Sequence, residues 1–201
     1  MALAREGKQQ AWWQSYELKS PTYVGLENEA VSIRQYNASE VPGLLQTPEY
    51  AHAVTAAVFP RRSTEVVTQE VAARLTRQQL LTRLDAPQVQ VVLDESVLRR
   101  VVGSSGIMRA QMVKLLEVSS LPNVSIQVVP YGAGVLPAIE NKFIILGFAS
   151  REVSDVVFVE GMVGDLYLER STDLRQYNEV FDTLLNMALT AEESHDFITK
   201  L

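Results

Sequence analysis

The stretch that most constrains the fold is residues 88–148, because it combines two strand patterns with a helix pattern between them. An apolar run at residues 89–93 precedes a helical stretch at 107–118, and a second apolar run follows at 124–129. Apolar residues recur in the helical stretch at nearly every fourth position, and Leu115 lies on that face. Strand, helix and strand of these lengths predict a βαβ unit with two parallel strands.

The other segments predict an extension of that sheet and its cover. Strand patterns occur at residues 31–36, whose alternation indicates a half-buried strand, and at 143–146. Two more, at 156–160 and 165–169, flank a Gly-containing turn and predict an antiparallel hairpin. Helix patterns occupy residues 47–58, 63–84, 94–98, 171–185 and 190–201, the last opened by a capping box of Thr190 and Glu193. We therefore predict an α+β or mixed α/β fold: one domain with a central mixed sheet built on the βαβ unit plus a C-terminal hairpin, covered by helices. Residues 1–20 predict a linking N-terminal helix and residues 21–201 the single domain.

Composition supports a folded, cytoplasmic protein. A hydrophobic share of 47% in 201 residues is enough for one domain core. The absence of cysteine excludes disulfides and thiolate metal sites and fits a reducing compartment. The N-terminus lacks the apolar core of a signal peptide. No apolar run approaches the ~20 residues that span a bilayer, so we predict no membrane association.

The net charge of −6, from 18 basic and 24 acidic residues, argues against DNA binding by this chain alone. The basic groups are small and flanked by acids, and are interpreted as solvated surface. They comprise Arg61, Arg62, Arg74, Arg77, Arg83, Arg99 and Arg100.

No residue pattern requires an enzyme, a cofactor or a metal. His52 and His195 have no other ligand-type residue at metal-binding spacing. A nucleophile elbow and a phosphate-binding loop are both absent from the sequence. Glu160 and Asp165 flank the predicted hairpin turn, where solvated acids are commoner than a catalytic pair. We predict a protein that is not an enzyme.

Three aromatic residues, Trp12, Trp13 and Tyr16, are concentrated near the N-terminus. Adjacent residues of a helix point about 100° apart, so one packing surface cannot cover both tryptophans. They either anchor the N-terminal helix on its own domain or form an interface, where Trp and Tyr carry much of the binding energy. We predict a homodimer, or a complex with a partner protein, through this segment.

Residues 41–51, Val-Pro-Gly-Leu-Leu-Gln-Thr-Pro-Glu-Tyr-Ala, crowd several structural signals into one stretch. Pro42-Gly43 indicates a tight turn that delivers Leu44 and Leu45 to the core. Thr47 is positioned to cap a helix that Pro48 opens. Gln46 and Tyr50 either belong to this packing or line a pocket or contact surface.

This signature resembles a motif in the C-terminal domain of actinobacterial XRE-type helix-turn-helix transcription regulators, an antitoxin-like domain of unknown function. The resemblance spans about residues 11–201. Relatives carry a helix-turn-helix before the double Trp, where this chain has only residues 1–10, so the resemblance implies no DNA binding by this chain alone. Where relatives often have a His and then a Gly-Pro, this sequence has Leu136 and Asn141-Lys142. Further matching segments are residues 12–13, 23–27, 77–78, 92–95, 98–100, 121–124, 128–131 and 159–169.

The resemblance implies a regulatory, non-enzymatic domain that mediates dimerisation, signal recognition or contact with a small partner protein often encoded beside it. Two alternatives stay open. A deep apolar pocket with a few convergent polar groups would favour a small-molecule sensor. Perturbed, coupled pKa values in a cleft would favour a hydrolase-like enzyme. The candidate partner or ligand contacts are Trp12, Trp13, Tyr16, Gln46, Tyr50, Tyr131, Leu136, Glu160 and Tyr167.

Overall fold

The computed structural model describes residues 20–58, 61–137, 142–150, 152–161 and 163–201, and these form one domain. The strands are β1 (Ser32–Asn37), β2 (Gln88–Asp94), β3 (Val124–Val129), β4 (Phe143–Gly147), β5 (Val156–Val159) and β6 (Leu166–Leu168). The helices are α1 (Pro21–Glu29), α2 (Pro48–Val58), α3 (Thr64–Arg77), α4 (Glu95–Arg99), α5 (Ser105–Ser119), α6 (Ser171–Met187) and α7 (Ala191–Thr199). None of the helices within these ranges is long and apolar enough to cross a membrane.

The six strands form one mixed sheet in the order β3-β2-β1-β4-β5-β6. β1, β2 and β3 are parallel, joined by crossovers that contain α2 and α3 and then α4 and α5. β4 runs antiparallel to β1 and starts a meander through β5 and β6. The predicted mixed sheet, with its βαβ unit and C-terminal hairpin, is therefore confirmed.

β1 differs from its prediction as a half-buried strand. It lies in the interior of the sheet, between β2 and β4, and its polar residues Gln35 and Asn37 are only 7% and 1% exposed. The reason is that helices cover both faces of the sheet, so the side chains that alternate along β1 are enclosed on either side. Buried polar side chains on a central strand need partners, and both of these face the site described below.

Two apolar clusters fill the spaces on the two faces of the sheet. The larger joins Ile33, Val91 and Ile126 to helices α1, α2, α5 and α7. Leu115 of α5 belongs to it and is fully buried, as predicted. The smaller cluster packs α6 against the other face. The result is a three-layer arrangement with the sheet in the middle.

The signature loop, residues 41–47, has the predicted turn, burial and cap. Leu45 N–H donates to the Pro42 carbonyl oxygen over 2.9 Å, which closes the turn and buries Leu44 and Leu45. Thr47 Oγ1 accepts from the Tyr50 N–H at the start of α2. Gln111 of α5 is enclosed beside the loop, donating to Leu45 O over 2.7 Å and accepting from Thr47 N over 2.8 Å. The loop is thus held rigidly to the core.

The helix predicted at 63–84 is shorter than expected. Ser63 caps it as predicted, but α3 ends at Arg77 and continues as a 3₁₀ turn, Gln78–Leu81. The predicted linking helix lies outside the described residues, except that Ser20 precedes Pro21 at the start of α1.

Replacing Tyr36 with Phe should maintain or raise the free energy of unfolding at neutral pH, by up to about 1 kcal/mol. The Tyr36 hydroxyl is buried and has no hydrogen-bond partner within the described part of the chain, so its removal loses no bond. Burial, and next the Asp94 carboxylate, raise the pKa of Tyr36 from 10.0 to about 12. The unfolded chain therefore ionises first, and this residue makes stability fall as the pH rises from 10 to 12.

Urea denaturation at pH 7 and between pH 10 and 12 measures both effects. The Phe variant should lose less stability across the alkaline range than the wild type. Tyr131→Phe, at a side chain 58% exposed, is the matched control and should change little. A Tyr36→Phe variant that is more than about 1 kcal/mol less stable at pH 7 would show that the hydroxyl has a partner after all.

Candidate ligand-binding site

A cavity of about 680 Å³ lies between one face of the sheet and helices α1, α2 and α3. Gln35, Ile144 and Phe158 line it from β1, β4 and β5. Its volume falls within the ~300–1,000 Å³ of small-molecule sites. Val58, at the end of α2, also lines the cavity and is 60% exposed.

The signature loop forms one wall of the cavity and positions Arg74 of α3. Gln46 donates to the Val41 carbonyl oxygen over 2.6 Å, and its own Oε1 accepts from Arg74 Nη1 over 2.7 Å. The aliphatic stem of Arg74 crosses Gly43, where a Cβ would lie 3.6 Å from Arg74 Cδ. Gln78 Nε2 donates to the Gly43 and Gln46 carbonyl oxygens and ties the loop to the end of α3. The loop therefore sets the orientation of one guanidinium.

A second guanidinium, that of Arg77, is neutralised inside the cavity wall. Its Nε and Nη2 donate to the two carboxylate oxygens of Glu27 over 2.7 and 2.8 Å. The Tyr23 hydroxyl donates to Glu27 as well, and Arg77 stacks over the Tyr23 ring. Burial alone would lower the pKa of Arg77, but the Glu27 carboxylate more than offsets it and the pKa is raised. Burial and the same carboxylate raise the pKa of Tyr23.

Further ion pairs, made by Lys142 and Arg62, line the cavity. Lys142 contacts Glu40 and lies 2.9 Å from Glu160. Burial would lower the pKa of Lys142, but these two carboxylates raise it. Arg62 pairs with Glu70. Glu160, interpreted from the sequence as a solvated hairpin acid, instead lies in the cavity wall, because β5 brings it beside Lys142.

Two polar groups in the cavity keep binding capacity that no described residue uses. Arg74 donates to Gln46, but within the described ranges no carboxylate lies at ion-pair distance from it. Burial, and next the neighbouring Arg77 cation, lower its pKa. Thr55 of α2 is buried, and its Oγ1 bonds to no described residue. Groups of this kind point to a ligand that would satisfy them.

The rest of the lining is largely apolar and aromatic, with Ser20, Gln35 and Asn37 as further polar residues. The Tyr23 and Phe158 rings stack with centroids 4.3 Å apart, and Val24, Val54 and Ile144 extend the apolar wall. The cavity therefore combines an apolar wall with convergent polar and charged groups, most of them held in ion pairs or hydrogen bonds, and both features occur at sites for small organic molecules.

Of the predicted contact residues that the structure describes, Gln46 and Glu160 line this cavity. Tyr50 is fully enclosed, and its hydroxyl accepts from the Val41 N–H, so it supports the signature loop from the core. Tyr167 lies behind Phe158, with ring centroids 5.2 Å apart. Tyr131 is exposed and Leu136 half-buried, and both follow β3 away from the cavity. The remaining three, Trp12, Trp13 and Tyr16, lie outside the described residues.

Sequence reasoning missed Arg74, Arg77, Glu27 and Thr55. The interpretation of Arg74 and Arg77 as solvated surface is wrong, because α3 turns both toward the cavity and Glu27, 50 residues away along the chain, pairs with Arg77. Residues 23–27 and 77–78 already matched the family resemblance, but neither that match nor the i, i+3 spacing of Arg74 and Arg77 reveals which face of the helix is buried.

The described residues offer no set of ligands for a metal ion. Within the described parts of the chain, no three His, Cys, Asp or Glu side chains cluster closely enough to hold an ion. His52 and His195 are both exposed, on α2 and α7.

Comparison with known proteins identifies the family of this domain. No curated protein matches the sequence. A family model described as "Domain of unknown function (DUF5753)" matches residues 20–200, which is nearly the whole chain and includes every cavity residue named above. The chain therefore belongs to the DUF5753 family.

Proposed function

We propose that this domain is the non-enzymatic sensory part of a cytoplasmic helix-turn-helix transcription regulator and that it binds a small molecule in its cavity. The observation that carries the proposal is a cavity of ligand size that contains a cation, Arg74, without a carboxylate partner and a buried hydroxyl, that of Thr55, without a hydrogen-bond partner, both among the described residues. A surface used only for protein contact has no need of such a cavity, since protein interfaces bury broad, shallow areas.

The electrostatics of the cavity favour binding over catalysis. A general acid or base works best with a pKa near the operating pH. The pKa values of Tyr23, Arg77 and Lys142 are instead raised, away from neutrality. Arg74 stays protonated even with a lowered pKa, because a guanidinium does not lose its proton in proteins. Arg74, Arg77 and Lys142 would therefore stay protonated, so they could bind a charged ligand but would not transfer protons.

The position of α1 suggests how a ligand would act on the rest of a regulator. α1 supplies Tyr23, Val24 and Glu27 to the cavity, and the chain before it leads toward the segment that carries the DNA-binding domain in the resembling regulators. A ligand that binds one arrangement of α1 better than another shifts the population between them. The proposed signal path therefore runs from the cavity through α1 to residues 1–19.

Homodimerisation and contact with a small partner protein remain part of this proposal. Both rest on Trp12, Trp13 and Tyr16, which precede the described residues. Among the described residues the cavity lining starts at Ser20, directly after this segment, so dimerisation and ligand binding would involve neighbouring parts of the chain.

A bulky substitution inside the cavity tests the proposal. Val54 of α2 is half-buried and lines the cavity, so Val54→Trp should occupy space that a ligand needs. The purified domain is incubated with the small-molecule fraction of an extract of its own cells, separated from free solutes, and analysed by native mass spectrometry. The wild type should retain a discrete added mass, and Val54→Trp should lose most of it.

Val113→Trp is the matched control, because Val113 is 50% exposed on α5 and lies outside the cavity lining. It should retain the same added mass as the wild type. Circular dichroism verifies that both Trp variants are folded. A wild type that retains no small molecule, or a Val54→Trp variant that retains it equally, would contradict the proposal.

A further inference from the structure

We infer that the ligand is a small monocarboxylic acid with an apolar body, whose carboxylate binds the Arg74 guanidinium while Thr55 Oγ1 bonds a polar atom of the same molecule. This inference rests on the proposed function and adds the chemical class of the ligand and the residues that select it.

Arg74 is the residue of the cavity that is best placed to bind an anion. A guanidinium has five N–H donors, and among the described residues Arg74 donates a single hydrogen bond, to Gln46. The contact with Gly43 and the bond to Gln46 fix its side chain before any ligand arrives. Because a fixed guanidinium loses little side-chain freedom on binding, it suits a bidentate pair with a carboxylate.

The other cations of the cavity are already neutralised. Arg77 is held by Glu27, Lys142 by Glu40 and Glu160, and Arg62 by Glu70. Among the cavity-lining cations of the described residues, Arg74 alone has no carboxylate partner. The anionic group of a ligand is therefore expected to bind Arg74.

The surrounding carboxylates limit the charge of that anion. Glu40, Glu70 and Glu160 act electrostatically on Arg74 as well as on their own partners. They would repel a ligand with two negative charges more strongly than a ligand with one, since charges interact strongly at these distances in a poorly solvated site. A monocarboxylate therefore fits better than a phosphate monoester, which carries close to two charges at neutral pH.

The body of the ligand follows from the apolar wall. Stacked Tyr23 and Phe158, with Val24, Val54 and Ile144, offer aromatic and aliphatic contact but few polar partners. Thr55 adds a single hydroxyl on the α2 side. An aromatic or aliphatic acid would satisfy all of these groups together.

Matched pairs of acids and amides test the class. The probes are phenylacetate, indole-3-acetate and decanoate, their three uncharged primary amides, and phenyl phosphate. Each is titrated into the purified chain, to about 1 mM, and followed by thermal shift and isothermal calorimetry. At least one carboxylate should raise the melting temperature and bind roughly tenfold or more tightly than its amide and than phenyl phosphate.

Three variants locate the carboxylate. Arg74→Met keeps the aliphatic stem and should weaken carboxylate binding roughly tenfold or more while leaving amide binding unchanged. Arg74→Gln, which can still hydrogen-bond Gln46, replaces it if the Met variant does not fold. Thr55→Val should weaken binding severalfold without lowering the melting temperature of the ligand-free chain, because no described residue bonds to its hydroxyl. Arg109→Met, at an exposed position on α5, is the control and should bind as the wild type does.

Each contrary outcome separates this inference from the proposed function. Amides that bind as tightly as acids, with binding abolished by Val54→Trp, would overturn the acid assignment and support the cavity as a ligand site. Stronger binding of phenyl phosphate would overturn the charge argument. If none of the probes binds, the inference is overturned, and the extract experiment decides the proposed function independently.

Discussion

Replacing Glu27 with Ala is expected to lower the free energy of unfolding by about 3–5 kcal/mol, because it leaves a cation buried without its counter-charge. Glu27 is 2% exposed and receives both Arg77 hydrogen bonds and the Tyr23 hydroxyl. The Ala variant therefore leaves three hydrogen-bond donors without their acceptor. Chemical denaturation at neutral pH measures the change.

A second variant separates the ion pair from simple packing. Glu27→Leu combined with Arg77→Met removes both charges, and this double variant should be more stable than Glu27→Ala, since no uncompensated charge remains. Asp85→Ala is the control, because Asp85 pairs with Arg83 at 3.0 Å but is 80% exposed, and it should change stability by less than about 1 kcal/mol. A loss below about 1 kcal/mol for Glu27→Ala would show that solvent reaches the pair.

Leu115→Ala should lower the free energy of unfolding by about 2–5 kcal/mol, as truncation of a buried Leu does. Leu115 has no exposed surface and lies in the larger cluster with residues of β2 and β3, so the shortened side chain would leave a void there. Denaturant melts of the variant and the wild type measure the loss.

Val113→Ala on the same helix is the control for Leu115→Ala. Its side chain is 50% exposed, so the change should stay within about 0.5 kcal/mol of the wild type. An equally small effect for Leu115→Ala would mean that α5 does not close the core as described.

The parts of the fold that could be predicted are those determined by local pattern. The strand predicted at 89–93 is Gln88–Asp94, and the helix predicted at 107–118 is Ser105–Ser119. Both carry a long apolar repeat, which buried elements require whatever they pack against. The Pro42-Gly43 turn and the Thr47 cap were likewise predictable, because each depends on neighbouring residues alone.

The cavity could not be predicted, because it is assembled from segments far apart in sequence. Gln35 looks like the polar face of a half-exposed strand until the position of β1 between β2 and β4 is known. Arg77 looks like one member of a surface cluster until Glu27 is brought to it by α1. Gln46 shows most clearly what the sequence does not reveal. The signature indicated that Gln46 is important, but only its tertiary contact with Arg74 indicates its role.

The most direct test of the central claim is a crystal structure of this chain after incubation with the small-molecule extract of its own cells. We expect electron density for an organic molecule in the cavity, with an acidic group against Arg74 and an apolar body against Tyr23 and Phe158. A cavity that holds only water, with Arg74 still bonded to Gln46 alone, would contradict the account.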